Sequence, residues 1–355
     1  MAWSKHKNKK PESERASSEG AAWIHTTSVD EMIEKFRETM KKDGLEGANG
    51  DWIVIQLAHV AVMRGQPRKV APLLVHLLEK REAEGRPAWN LDHTSLGAVG
   101  ISMVRLMAAY LEDPAIPISK ARAAAQLFLR GIEKHPSLKT VGQLMPMIMA
   151  VRTDAAPADF SASKRRSGLP LRTDMVSSGM CEATHRQWRV EYLLAMGAVD
   201  EALALAHRGR AEKPCGGTCA FAPHSMFAWL LEPLRSRGRN DEATVLEARL
   251  AGLLTPRTLY LDAMGCRIHY LALEGRFEDA NAILRSMLPF ANDPMASPWQ
   301  RLKFYEGCTR ALSVARNHQE RESLLAGQEP EQEPMEHQIM SSFNALRQSF
   351  NDRIQ

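Results

Sequence analysis

One short pattern, Gly-x-x-acid-acid-Ala, occurs three times in a single stretch and constrains this chain more than any other feature. The copies are Gly197-Ala-Val-Asp-Glu-Ala202, Gly238-Arg-Asn-Asp-Glu-Ala243 and Gly275-Arg-Phe-Glu-Asp-Ala280. Each follows an apolar helical run and opens another, and the glycines lie 41 and 37 residues apart. A period of this length belongs to stacked helical hairpins, units that cannot bury their apolar face without neighbours. Glycine serves where the first helix ends, because the left-handed backbone angle needed there disfavours a Cβ. The two acids then fall in the first turn of the next helix, against the positive end of its dipole. Alanine is small and lets the two helices approach.

Helical signals continue on both sides of this stretch. Ser28-Val-Asp-Glu31 forms a capping box and predicts a helix carrying Met32, Phe36 and Met40 on one side. Trp52 to Met63 predicts a second, ended by Gly65, and Pro67 opens a third that reaches about Arg81. Gly65-Gln-Pro-Arg-Lys-Val70 occupies the same turn as the later pattern without its acids or its alanine. Further helices are expected near 93–111, 118–134, 141–151 and 299–315. The last, from Met335 to about Phe350, sets Ile339, Phe343, Leu346 and Phe350 on one side and polar residues on the other, as an end helix requires. The division expected is a disordered polar tail at 1–27, a helical-repeat region at 28–152 and a basic flexible loop at 153–176. Repeats at 177–316, a polar linker at 317–334 and a capping helix at 335–355 complete it.

Composition agrees with an all-α fold. The chain of 355 residues has 44% hydrophobic and only 6% aromatic residues, and no segment alternates as a strand should. A formal charge of +4 does not by itself imply nucleic acid. Five cysteines, an odd number in a long chain, do not form a secreted disulfide framework. The polar start shows no secretory signal and no run is long enough to span a bilayer, so a cytoplasmic setting without a membrane partner is expected.

The repeated turn resembles the tetratricopeptide repeat, whose unit is a helix, a tight glycine turn and a second helix with alanine at the crossing. Ala124-x3-Phe128-x2-Gly131-x4-Pro136 resembles the second half of that unit. From about 180 to 315, Cys219-Ala-Phe-Ala-Pro223-His224, Leu230-Leu231-x-Pro233-Leu234, Gly238-Arg239 and Glu242-Ala243 are similar to a group of bacterial tetratricopeptide-like proteins. The resemblance implies a right-handed α-solenoid of stacked hairpins and a bacterial origin. It also implies a scaffold or adaptor that binds a peptide or helix of another protein in a concave groove. Trp188, Tyr192, Trp229, Tyr260 and Tyr270 are the candidate anchors of that groove, since aromatics dominate interface energetics; core packing is the alternative for each.

No phosphate loop, His-Glu-x-x-His zinc motif or Gly-x-Ser-x-Gly elbow occurs, so nothing names an enzyme. Cys181-x3-His185 with Cys215-x3-Cys219 has the residue types of a tetrahedral zinc site, with a Cys215–Cys219 redox pair and ordinary packing as alternatives. Only Cys219 and His224 match the similar group, and Cys215 does not. His59, His76 and the cluster Met145, Met147 and Met149 are expected in the core or a groove. A nucleic-acid binder would need Arg165, Arg166, Arg235, Arg237 and Arg239 on one continuous surface.

Overall fold

The computed structural model describes residues 28–43, 48–88, 93–133, 139–153, 182–208, 224–254, 256, 260–327 and 334–353. The expected tail at 1–27, the basic loop beyond Thr153, and Cys181, Cys215 and Cys219 lie outside the described residues. Among the described residues there is no strand. The helices are α1 Val29–Asp43, α2 Ala48–Met63, α3 Pro67–Ala83, α4 His93–Leu111, α5 Ile118–Glu133 and α6 Lys139–Thr153. They continue as α7 Glu182–Ala195, α8 Val199–Arg208, α9 His224–Trp229, α10 Leu231–Arg235 and α11 Asn240–Leu253. The remainder are α12 Leu261–Leu273, α13 Phe277–Ala291, α14 Pro298–Val314, α15 His318–Leu325 and α16 Met335–Asp352. None is long and apolar enough to cross a membrane.

Local chemistry accounts for the boundaries. The Ser28 amide donates to Glu31 at 2.7 Å and the Glu31 amide to Ser28 Oγ at 3.1 Å, so the capping box opens α1 as expected. Gly197, Gly238 and Gly275 take φ of 68°, 71° and 72°. Each glycine amide bonds three residues back, and the amide after it bonds five residues back, as Ala198 does to Leu193 at 2.9 Å. This pair of bonds satisfies carbonyls that a helix end leaves open. The residue after the glycine stands just before the next helix, and its carbonyl accepts from Ala202, Ala243 or Ala280. All three alanines are 0% exposed. Gly65 makes the same turn at φ 68°, and Val70, also fully buried, stands where the others have alanine.

Packing follows chain order. The first helices α2, α4, α6, α7, α9, α12, α14 and α16 touch one another in that sequence. The second helices α3, α5, α8, α11 and α13 each lie against the first helix of their own hairpin, and α15 lies against α13. Two apolar cores result, one over 29–148 and one over 190–339. Helix α7 joins them: Trp188 and Tyr192 pack on the first core, while Val190 is buried in the second.

The closest crossing is α12 on α14. A Cβ at Gly265 would sit 2.7 Å from Cα of Phe304, and one at Gly307 would run into the backbone of Gly265. Only glycine fits either position.

Late segments of the chain also bond back to early ones. The Arg353 guanidinium, at the end of α16, donates to the Leu111 carbonyl at 2.6 Å, and the Ile118 amide donates to the Arg353 carbonyl at 3.2 Å. Arg68 in α3 donates to the Pro294 carbonyl at 3.3 Å. Two expectations need correction here. The stretch 317–334 is not wholly a linker, because Asn317 accepts from the Glu320 amide at 2.9 Å and caps α15. His76 is exposed and not a core or groove residue, because it falls on the solvent side of α3.

Candidate functional site

Four chain segments converge where the first helices face one another. Helix α4 runs out at Leu111, and the amide of Glu112 still bonds to the Ala108 carbonyl at 2.8 Å. Helix α6 ends in Arg152-Thr153, α7 presents Glu191, and Ser297 caps α14 by accepting from the Gln300 amide at 3.3 Å. Arg152 Nε donates to Glu112 at 2.9 Å and its Nη1 to Glu191 at 2.5 Å. Ser297 Oγ donates to the second Glu112 oxygen at 2.5 Å. The Arg152 guanidinium also lies 4.9 Å from the Trp299 ring centroid, and the Lys303 ammonium lies 5.1 Å from the same centroid. Burial alone would lower the Arg152 pKa, but the Glu191 and Glu112 carboxylates outweigh it and hold the group above its ordinary value.

Around this chain of bonds lies an inner cavity with two lobes. The narrow lobe, of about 130 Å³, is walled by Arg105, Glu112, Arg152 and Trp188. The wider lobe, of about 520 Å³, is walled by Leu194, Val199, Glu232, Cys266, Trp299 and Lys303. Glu191, Trp229 and Asp262 belong to both linings, so the two lobes adjoin there.

Asp262 is the exceptional group on this surface. It stands in the first turn of α12, is 8% exposed, and its Oδ1 has no hydrogen-bond partner among the described residues. Burial pushes its pKa from 3.8 up to about 7, and the neighbouring Glu191 adds to the rise. The Ala263 amide and Arg152 pull it back only in part, while Glu112 raises it further. Nearby Glu232 shows the opposite balance: bonds from His269 and Arg310 outweigh burial and hold it down to about 2. Burial likewise pushes the Cys266 thiol up to about 12, so it is a protonated wall group.

The structure separates the candidate aromatics. Trp188 and Trp229 are half-buried and line the cavity. Tyr192 is half-buried against the first core. Tyr260 and Tyr270, expected along a groove, are 3% and 2% exposed within the second core, because α12 is buried on nearly every side. Met145 and Met147 are core residues as well.

Of the four zinc candidates only His185 is described; its Nε2 is buried without a hydrogen-bond partner. Burial, then Arg189 and Arg186, lowers its pKa to about 4, so it stays neutral. Among the described residues no three His, Cys, Asp or Glu side chains converge to hold a metal ion. His224 opens α9, buried, with its ring 6.4 Å from that of Tyr260. The described arginines of the nucleic-acid alternative are engaged: Arg235 with Glu274, Arg237 with Asp200 and Arg239 with Glu242, at 2.6, 2.8 and 2.6 Å.

Sequence reasoning missed Asp262, Glu191, Glu112, Arg152 and Ser297. An acid in the first turn of a helix is an ordinary dipole partner, and nothing local distinguishes Asp262 from the exposed Asp241. Compared with known proteins, the chain matches no family model, no curated protein and no solved structure.

Proposed function

We propose that this chain is a tetratricopeptide-like α-solenoid that works by binding: a non-catalytic scaffold or adaptor that seats a short segment of a partner protein against its first helices. The observation that carries this reading is the two-lobed cavity, with half-buried Trp188 and Trp229 on its walls beside fixed charges. Rigid aromatic anchors beside satisfied polar groups are the usual makings of a recognition site.

The test begins with affinity capture and mass spectrometry, comparing the intact chain with the Trp188→Ala/Trp229→Ala variant. The recovered partner segment is then made as a synthetic peptide and its affinity measured by fluorescence anisotropy. Loss of two anchors is expected to weaken binding by at least ~30-fold, the equivalent of one hot-spot residue. A peptide that binds both forms equally refutes the assignment of this cavity.

A further inference from the structure

The wall of the wider lobe is of two kinds. Leu194, Val199, Pro233, Cys266, Trp229 and Trp299 supply much of its uncharged part. Burial keeps the Cys266 thiol protonated, so it behaves there as a small hydrophobe. The polar part consists of Ser236, the acids Glu191, Glu232 and Asp262, and the bases Arg237, Lys303 and Arg310.

Each of these polar groups is already engaged or closed off. Glu191 holds Arg152 at 2.5 Å, and Glu232 holds Arg310 at 2.5 Å and His269 at 3.2 Å. Arg237 is paired with Asp200 and Lys303 with Glu306, both at 2.8 Å. The Ser236 hydroxyl donates to the Pro233 carbonyl at 3.0 Å. Asp262 accepts from the Ala263 amide, and its Oδ1 is buried in the wall, out of reach from the lobe.

The three acids and three bases balance, so the wall favours neither sign of charge. An ion entering here would give up its hydration and then compete with a partner already in place. An uncharged apolar group carries no such penalty. Contact with the aliphatic side chains and the two indoles stabilises it in proportion to the area covered.

We propose that the wider lobe receives an uncharged apolar side chain of the partner segment, seated among Leu194, Val199, Trp229 and Trp299, and that it rejects a charge of either sign at that position. This rests on the binding function proposed above and names the chemistry that this part of the cavity selects.

The test uses the full chain labelled with 15N at tryptophan, following the indole N–H resonances, with Trp229→Phe and Trp299→Phe used only to assign them. Three probes of similar shape separate the charges: benzyl alcohol, benzylammonium chloride and sodium benzoate, at matched ionic strength. The expected result is a saturable shift of the Trp229 and Trp299 resonances with benzyl alcohol. Each ion is expected to bind at least ~10-fold more weakly, the equivalent of ~1.4 kcal/mol. The comparison is made on the unaltered chain, so no variant has to fold for it to be decisive. An ion that saturates these resonances at the same or a lower concentration than benzyl alcohol overturns the proposal. So does the absence of a saturable shift with benzyl alcohol up to tens of millimolar, or a shift confined to other indoles.

The two readings fail separately. Selective uptake of benzyl alcohol by a chain that captures no partner peptide keeps the apolar lobe and removes the peptide reading. A captured peptide that needs Trp188 and Trp229, yet loses its affinity only when a charged side chain is changed to Ala, does the reverse.

Discussion

Replacing Asp262 with Asn keeps the side-chain shape and removes the charge that its surroundings oppose. The folded chain raises this carboxyl from 3.8 to about 7. At ~1.4 kcal/mol per pKa unit, that rise corresponds to roughly 4 kcal/mol, an upper figure for a buried group. The sign follows from proton counts. Between about pH 4 and 7 the folded state holds the proton and the unfolded state has lost it, so stability falls as pH rises. The contribution is fully present below the unfolded value and gone above about 7. The Asn variant cannot ionise, so it should match the parent near pH 3 and exceed it at pH 8.5, by up to ~4 kcal/mol. Urea unfolding followed by far-UV circular dichroism at the two pH values measures the difference directly. An Asn variant that is less stable at pH 8.5, or offset from the parent equally at both pH values, would refute the reasoning.

Three further outcomes are open to the same measurement or a simple relative of it. Gly275→Ala should cost ~1–2 kcal/mol, since only the left-handed backbone angle opposes it; Gly307→Ala should cost several-fold more, because its Cβ meets backbone of α12. Equal costs at the two sites would count against the close crossing. Glu247→Ala should destabilise by ~3–5 kcal/mol, because it strands Arg267, which donates twice to the buried carboxylate at 2.9 and 2.6 Å; a neutral effect in thermal unfolding would show the pair to be dispensable. Arg353→Ala should speed amide exchange at Ile118 and around Leu111 while leaving the amides of α12 protected, read by hydrogen-exchange mass spectrometry.

Much of the helical layout was legible because its boundaries are written in local chemistry. The capping box at Ser28, the glycine turns at 65, 197, 238 and 275, and Pro67 each act within a few residues, and the helices begin and end beside them. Helix α15 escaped notice for the converse reason: only Leu324 in it is buried, so it carries no apolar stripe. Tyr260 and Tyr270 were misread because α12 is buried on nearly all sides, and a helix without a wet face does not say which residues point inward. Gly265 and Gly307 did offer a signal, as isolated glycines inside helical runs invite a packing explanation. The inner site offered none. Ser297 and Glu112 bond across 185 residues of chain, and that meeting depends on the path of every hairpin between them.

The bonds between late and early segments have a consequence for how such a chain can change. An array open at both ends grows by duplicating a unit, since each unit answers only to its neighbours. Here a duplicated hairpin anywhere from α5 to α13 would carry Pro294 and Ser297 away from Arg68 and Glu112, and Arg353 away from Leu111. These bonds therefore oppose the insertion of a further hairpin, a constraint that an array open at both ends does not have.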